Sequence, residues 1–151
     1  MNDNSKRVII GSDHAAFQMK TRIKAFLEEQ GLFVEDVGPA GEASVDYPDF
    51  GRIVASSISR GDFERGILMC GTGIGMSMVA NRFPHVRAAL CGDIFAARMS
   101  RLHNDANILV MGGRVIGDDL AVEIVRTWLE TPFEGGRHSL RLEKFDVVDA
   151  V

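Results

Sequence analysis

Gly66-Ile67-Leu68-Met69-Cys70-Gly71-Thr72-Gly73-Ile74-Gly75 is an apolar run that ends on a cysteine and breaks at once into alternating glycines. The run predicts a buried strand over 66–69 or 70. The glycines let the backbone turn sharply and aim successive N–H groups at one point, and a helix starting just beyond would add the positive end of its dipole. A thiol is thereby set at the mouth of an anion-binding loop, where donors aimed at sulfur favour the thiolate. Taken alone, the stretch reads more simply as a tight strand-to-helix turn with a buried cysteine. The rest of the chain decides between the two.

Upstream, Val8-Ile9-Ile10 is a β-branched run that stops at Gly11-Ser12-Asp13-His14, followed by a helical pattern over 15–30 with Gly31 as its natural end. Residues 32–37 read as a second strand closed by Gly38-Pro39. Pro48 suits a helix's first turn, and Phe50, Ile53, Val54 and Ile58 share one helical face before Gly61 ends the pattern. Downstream, the spacing predicts a short helix near 76–82, a strand near 86–90, a helix over 93–102 and a fifth strand over 108–111. Leu120, Ile124, Val125 and Trp128 line the next helix, Pro132 follows it, and a last helical stretch runs from Ser139. Short apolar strands alternating with helices imply an α/β fold, a five-stranded parallel sheet covered by helices on both faces. Strand order 2-1-3-4-5 would make the first and third strands neighbours at the switch point where ligands sit. Asp13-His14 and the 70–75 loop would then face each other across one crevice.

At 151 residues the chain fits one domain, 1–151. A charged fraction of 25%, a hydrophobic fraction of 46% and mean hydropathy near zero are those of a globular protein, with no apolar segment of membrane-spanning length. The polar start lacks a signal peptide's apolar core, so a cytoplasmic location is expected. Cys70 and Cys91 form no disulfide framework and fit no zinc motif, and read as reduced thiols. The net charge of −4 argues against a nucleic-acid surface. Among the 17 basic residues, 13 are arginine, a bias toward phosphorylated ligands or interfaces.

The glycine loop is not a Walker A motif, since no Lys-Ser/Thr pair follows it. It is one residue short of the dinucleotide fingerprint, although Asp93 follows the next predicted strand, where a ribose-binding acid could sit, so a nicotinamide-binding module is the rival reading. His14, His103 and His138 fall at predicted element ends, and His103 lies in Ser100-Arg101-Leu102-His103-Asn104-Asp105-Ala106-Asn107, where an imidazole can exchange protons near neutral pH. In Glu134-Gly135-Gly136-Arg137-His138-Ser139-Leu140-Arg141 the two arginines stand one helical turn apart and can grip a phosphate together; Arg114, after Gly112-Gly113, is a third candidate. A base at Cys70, an oxyanion cradle at Gly71 to Gly75, an acid/base histidine and a remote phosphate anchor suit proton abstraction beside a carbonyl. Sugar-phosphate isomerisation fits them without a cofactor or metal.

On these residues the chain resembles the type B ribose-5-phosphate isomerases, of the wider group that includes galactose-6-phosphate and allose-6-phosphate isomerases. The likeness covers nearly the whole chain and is carried by Gly11-Ser12-Asp13-His14, Asp46-Tyr47-Pro48, the 70–75 loop, His103-Asn104-Asp105-Ala106-Asn107, Gly113-Arg114 and Glu134-Gly135-Gly136-Arg137-His138. It implies a three-layer Rossmann-like sandwich of order 2-1-3-4-5 and a homodimer, sometimes tetrameric, with sites shared between subunits. The segment 132–151 would pack on or contribute to the partner. By the same resemblance Cys70 moves the proton between C1 and C2, amides of Gly71, Gly73, Ile74 and Gly75 hold the enediolate, and Thr72 helps proton movement between the oxygens. His103 would open the furanose ring, Asp13, His14 and Asn104 would orient sugar hydroxyls, and Arg114, Arg137, His138 and Arg141 would bind phosphate. A branch of the group uses a glutamate base just after the glycines; here that place is Met76, so the chain looks like the cysteine type. The expected reaction is the interconversion of D-ribose 5-phosphate and D-ribulose 5-phosphate. A four- or six-carbon aldose phosphate, or a non-catalytic nucleotide or sugar-phosphate binding module, is the alternative.

Overall fold

The computed structural model describes residues 3–145; residues 146–151, the end of the expected partner-contacting segment 132–151, lie outside the described residues. Five parallel strands form one sheet: β1 (Arg7–Ser12), β2 (Phe33–Asp36), β3 (Arg65–Cys70), β4 (Ala88–Leu90) and β5 (Ile108–Gly112). Between and after them run α1 (Phe17–Glu29), α2 (Tyr47–Ser59), α3 (Ile74–Ala80), α4 (Ile94–Leu102), α5 (Asp118–Glu130) and α6 (Arg137–Leu142).

The period-2 alternation of side chains sorts the strand residues into two cores. Val8, Ile10, Ile67, Met69, Leu109 and Met111 pack with residues of α1, α4 and α5, among them Ile23, Ala97 and the fully buried Trp128. Ile9, Leu68, Cys70, Ile108 and Val110 pack on the opposite face with Val54 and Ile58 of α2 and Met76 and Ala80 of α3. The three-layer α/β sandwich expected from the alternating pattern is therefore present, and its solvent-free strands are apolar on both faces because helices cover both.

The strand order corrects the expectation in one place. It is β2-β1-β3-β5-β4, not 2-1-3-4-5, so β5 stands beside β3 and β4 takes the edge. Burial supplies the reason. All of Ile108–Gly112 is buried, as an interior strand requires, whereas Ala88–Leu90 is three residues long and leaves Leu90 exposed, as suits an edge. The β1–β3 neighbourhood on which the crevice depends is as expected. Smaller differences fall at element ends: the third helix starts at Ile74, directly on the glycines, and the last at Arg137 rather than Ser139.

Candidate active site

At the carboxyl end of the sheet three chain segments are tied side by side through their backbones. The Asp13 N–H donates to the Met69 carbonyl at 3.1 Å, the Gly113 N–H to Cys70 at 2.8 Å and the Arg114 N–H to Gly71 at 2.9 Å. The ends of β1, β3 and β5 thus form one rim. Gly112 is required there, because a Cβ would stand 2.6 Å from the Thr72 carbonyl oxygen as the loop crosses the end of β5.

The loop turns at Gly73, whose φ of +81° is the left-handed conformation that glycine alone adopts freely. The turn brings the Gly73 N–H to 3.2 Å from Cys70 Sγ, a donor aimed at the sulfur. Cys70 is 4% exposed and has no disulfide partner. The Thr72 Oγ1 accepts from the Ile74 N–H at 3.2 Å, which fixes the exposed hydroxyl over the start of α3. Arg114 leans over Gly71, with its Cδ and Nη1 within 3.7 Å of where a Cβ would be. On the opposite lip Asp13 is nearly buried and accepts from the Ala16 N–H at 3.2 Å, while His14 Nδ1 accepts from the Val45 N–H at 3.2 Å. That bond fixes the ring with its Nε2 edge free of the backbone.

A second group forms at the end of α4. His103 is the C-terminal cap of that helix, with its N–H on the Met99 carbonyl, and Asn104 follows it exposed. The Glu134 N–H donates to the Leu102 carbonyl at 3.1 Å, and Gly135 and Gly136, both at positive φ, turn the chain back into α6. His138 is thereby stacked on His103, ring centroids 4.4 Å apart and 17° from parallel. Glu134 Oε2 lies 3.6 Å from Nε2 of His138 and 4.0 Å from Nε2 of His103, so these three side chains could hold a metal ion. Burial and the nearby His103, Arg137 and Arg141 charges hold the His138 imidazole below the usual histidine range. Among the described residues the guanidiniums of Arg114, Arg137 and Arg141 have no carboxylate partner. Nor does any hydrogen bond or ring contact among the described residues join this second group to Cys70.

The Ribose/Galactose Isomerase family model matches residues 8–145. Ribose-5-phosphate isomerase B of Escherichia coli is 42% identical over 144 residues, 95% of this chain and 97% of that protein. The D-erythrulose-4-phosphate isomerase of Pectobacterium atrosepticum is 44% identical over 139 residues, 91% of each. The solved structure of ribose-5-phosphate isomerase B from Clostridium thermocellum matches with a TM-score of 0.90 at 52% identity, over 91% of this chain and 93% of that one. The chain belongs to the ribose/galactose isomerase family.

For a ribose/galactose isomerase, two further residues stand out that the sequence reading quoted only inside motifs. Tyr47, at the start of α2, packs over Gly75 so closely that a Cβ there would meet its ring at 2.5 Å. The other is Glu134, between the two histidines. The pairing of Gly75 with an aromatic residue across the loop leaves no mark in local sequence. The E-G-G-R-H run does carry a signal for Glu134, since paired glycines beside an acid and a histidine imply a tight turn that brings them together. Asp93, where the rival reading would seat a ribose, instead caps α4 by accepting from the Ala96 N–H at 2.7 Å, beyond the edge strand and away from β3.

Proposed function

We propose that the protein interconverts D-ribose 5-phosphate and D-ribulose 5-phosphate through an enediolate, with Cys70 as the base. The observation that carries this reading is the Gly73 N–H directed at Cys70 Sγ at the carboxyl end of β3, in a chain whose relatives include ribose-5-phosphate isomerase B. The thiolate takes the proton from C2 of the open-chain aldose and returns it to C1. Meanwhile the O2 proton passes to O1 by way of the Thr72 hydroxyl, so that carbonyl and hydroxyl exchange places. Negative charge develops on the two oxygens, and the N–H groups of Gly71 and Gly75 stabilise it, joined by those of Gly73 and Ile74 as they turn from Cys70 Sγ and the Thr72 hydroxyl to the substrate. No metal or organic cofactor enters this scheme.

His103 acts as the acid/base group that opens the furanose ring, and Asp13, His14 and Asn104 orient the sugar hydroxyls. Arg137 and Arg141, with Arg114 and His138, hold the phosphate. Because no hydrogen bond or ring contact among the described residues joins the His103 group to Cys70, we read the active site as shared in a homodimer that can pair into a tetramer. Residues 1–151 form one isomerase domain, and the 132–151 segment serves the partner's site. Exposed apolar side chains support a second copy: Phe95, Met78, Val115 and Leu140 are each more than 60% exposed. Two free thiols support a cytoplasmic location, and among the described residues no helix is long and apolar enough to cross a membrane.

A panel of C4, C5 and C6 aldose phosphates, compared by kcat/KM, tests the reading. Ribose 5-phosphate is expected to lead. The second reading, a four-carbon substrate, is favoured by the 44% identity to a D-erythrulose-4-phosphate isomerase, and a lead for the C4 sugar would establish it instead. His103→Asn should depress turnover of the cyclic aldose by about 100-fold and that of the open-chain ketose by less. Equal losses in both directions would remove the ring-opening role.

A further inference from the structure

His103, Glu134 and His138 each offer one ligand atom, and the three atoms lie within 4.8 Å of one another. Two imidazoles and a carboxylate are the donor set of open, three-ligand zinc sites, in which a fourth position is left to water or a ligand. We propose that these residues form a binding site for a divalent first-row metal ion, Zn²⁺ foremost, and that the bound ion inhibits the isomerase. The inhibitory part rests on the role given to His103 above; the binding part does not.

Four observations carry the site. His138 is 3% exposed, and its Nε2 is buried without any hydrogen-bond partner, so a nitrogen lone pair or N–H points into the cluster unsatisfied. Glu134 Oε2 already stands 3.6 and 4.0 Å from the two imidazole nitrogens. Ligands about 2.0–2.1 Å from a tetrahedral ion are about 3.3 Å apart, so closure needs shifts of under an ångström between each nitrogen and the carboxylate and of at most about 1.5 Å between the two nitrogens. The frame is already fixed: the Glu134 N–H on the Leu102 carbonyl joins the turn to the end of α4, and the His138 N–H on the Gly135 carbonyl closes it. Finally, the side chains of His103 and Glu134 are 42% and 56% exposed, which leaves an entry path and an open coordination position.

The charges nearby decide which ion. Arg137 and Arg141, on the same short helix as His138, oppose a hard cation held mainly by charge, such as Mg²⁺ or Ca²⁺. A borderline-soft ion that binds through imidazole nitrogen tolerates that field better, which selects Zn²⁺, Cu²⁺ or Ni²⁺. Occupancy would engage Nε2 of His103 and place a cation beside the phosphate-binding arginines. Ring opening would stop while the fold stayed intact.

The test is calorimetric titration of chelator-treated, full-length protein with ZnCl₂ in a non-coordinating buffer, repeated with Co²⁺ to read ligand-field bands. One ion per chain is expected, with affinity reduced tenfold or more in Glu134→Gln and in His138→Asn. Glu134→Gln alters an exposed side chain, so it reports even if His138→Asn fails to fold. Cys70→Ala should leave the affinity unchanged. No saturable binding up to millimolar Zn²⁺, or binding that survives Glu134→Gln and disappears in Cys70→Ala, overturns the site. Zn²⁺ should also inhibit the wild-type reaction with an inhibition constant matching its dissociation constant, competitively with the cyclic aldose phosphate; saturable binding that leaves the rate untouched overturns the inhibitory role. A protein that lacks isomerase activity yet binds Zn²⁺ as described would sink the functional reading and leave the metal site standing.

Discussion

Cys70 and Cys91 are both free, both nearly buried and both at the carboxyl end of a strand, yet they sit in opposite chemistry. Cys91 follows the edge strand β4 and points into the α1/α4/α5 core. Burial pushes its thiol up to about 11; a hydrogen bond with Ser100 opposes this, and the charge of Asp93 adds the smallest contribution in the upward direction. Cys70 ends the central strand β3 and receives the Gly73 N–H on its sulfur. Two cysteines of like burial therefore differ in their polar surroundings. The difference lies in what the chain does next: after Cys70 it turns through glycines and brings the Gly73 N–H onto the sulfur, whereas after Cys91 it enters a helix capped by Asp93.

The largest effect expected from this contrast is kinetic. Cys70→Ala should lower kcat/KM by about 10³-fold, the size of a general-base contribution, with little change in melting temperature. Cys91→Ala should stay within about twofold of the parent, and comparable losses in both variants would erase the distinction. Gly73→Ala attacks the loop instead. Its Cβ would stand 2.5 Å from Leu90 Cδ1 and 3.0 Å from the Met111 carbonyl carbon, at a φ that L residues rarely adopt. Urea unfolding should show a loss of about 2–3 kcal/mol from strain and overpacking, and activity should fall with it. A fully stable Gly73→Ala would mean that the turn is looser than the contacts imply. Third, iodoacetamide at pH 7.5 should modify Cys70 well before Cys91, a difference readable by mass spectrometry, and a sugar phosphate should slow the first reaction alone.

How much of this was legible in the chain follows from locality. The 66–75 stretch encodes its strand, its turn and its helix start in adjacent residues, so the loop and the crevice beside Asp13 could be read directly. The order of β4 and β5 could not be read that way, because sequence neighbours need not be sheet neighbours. The available signal was compositional: Ile108-Leu109-Val110-Met111 is an unbroken apolar run fit for an interior position, and Ala88-Ala89-Leu90 is short enough for an edge. His103 and His138 were each visible as polar histidines at element ends. Their stacking was not, since it depends on the backbone bond between Glu134 and Leu102 across more than thirty residues. Tyr47 over Gly75 is a contact of the same kind.

The smallest effect tests the inert side of the contrast, through alkaline stability. The folded-state thiol of Cys91 is raised from an ordinary value of 9.0 to about 11. Between those values the unfolded chain gives up its proton more readily than the folded one. The folded state therefore keeps the full benefit of a neutral buried thiol below pH 9 and loses it as pH rises through about 11. Chemical denaturation at pH 8, 9 and 10 should show stability falling with pH in the parent, and the slope should flatten in Cys91→Ala, which has no thiol at that core position to ionise. The alanine variant should start lower at pH 8, by about 1 kcal/mol for the lost sulfur packing, so that the two curves converge as the pH rises. Parallel curves over this range would mean that the Cys91 thiol is not held in the dry core, and the physical distinction from Cys70 would have to rest on the glycine loop alone.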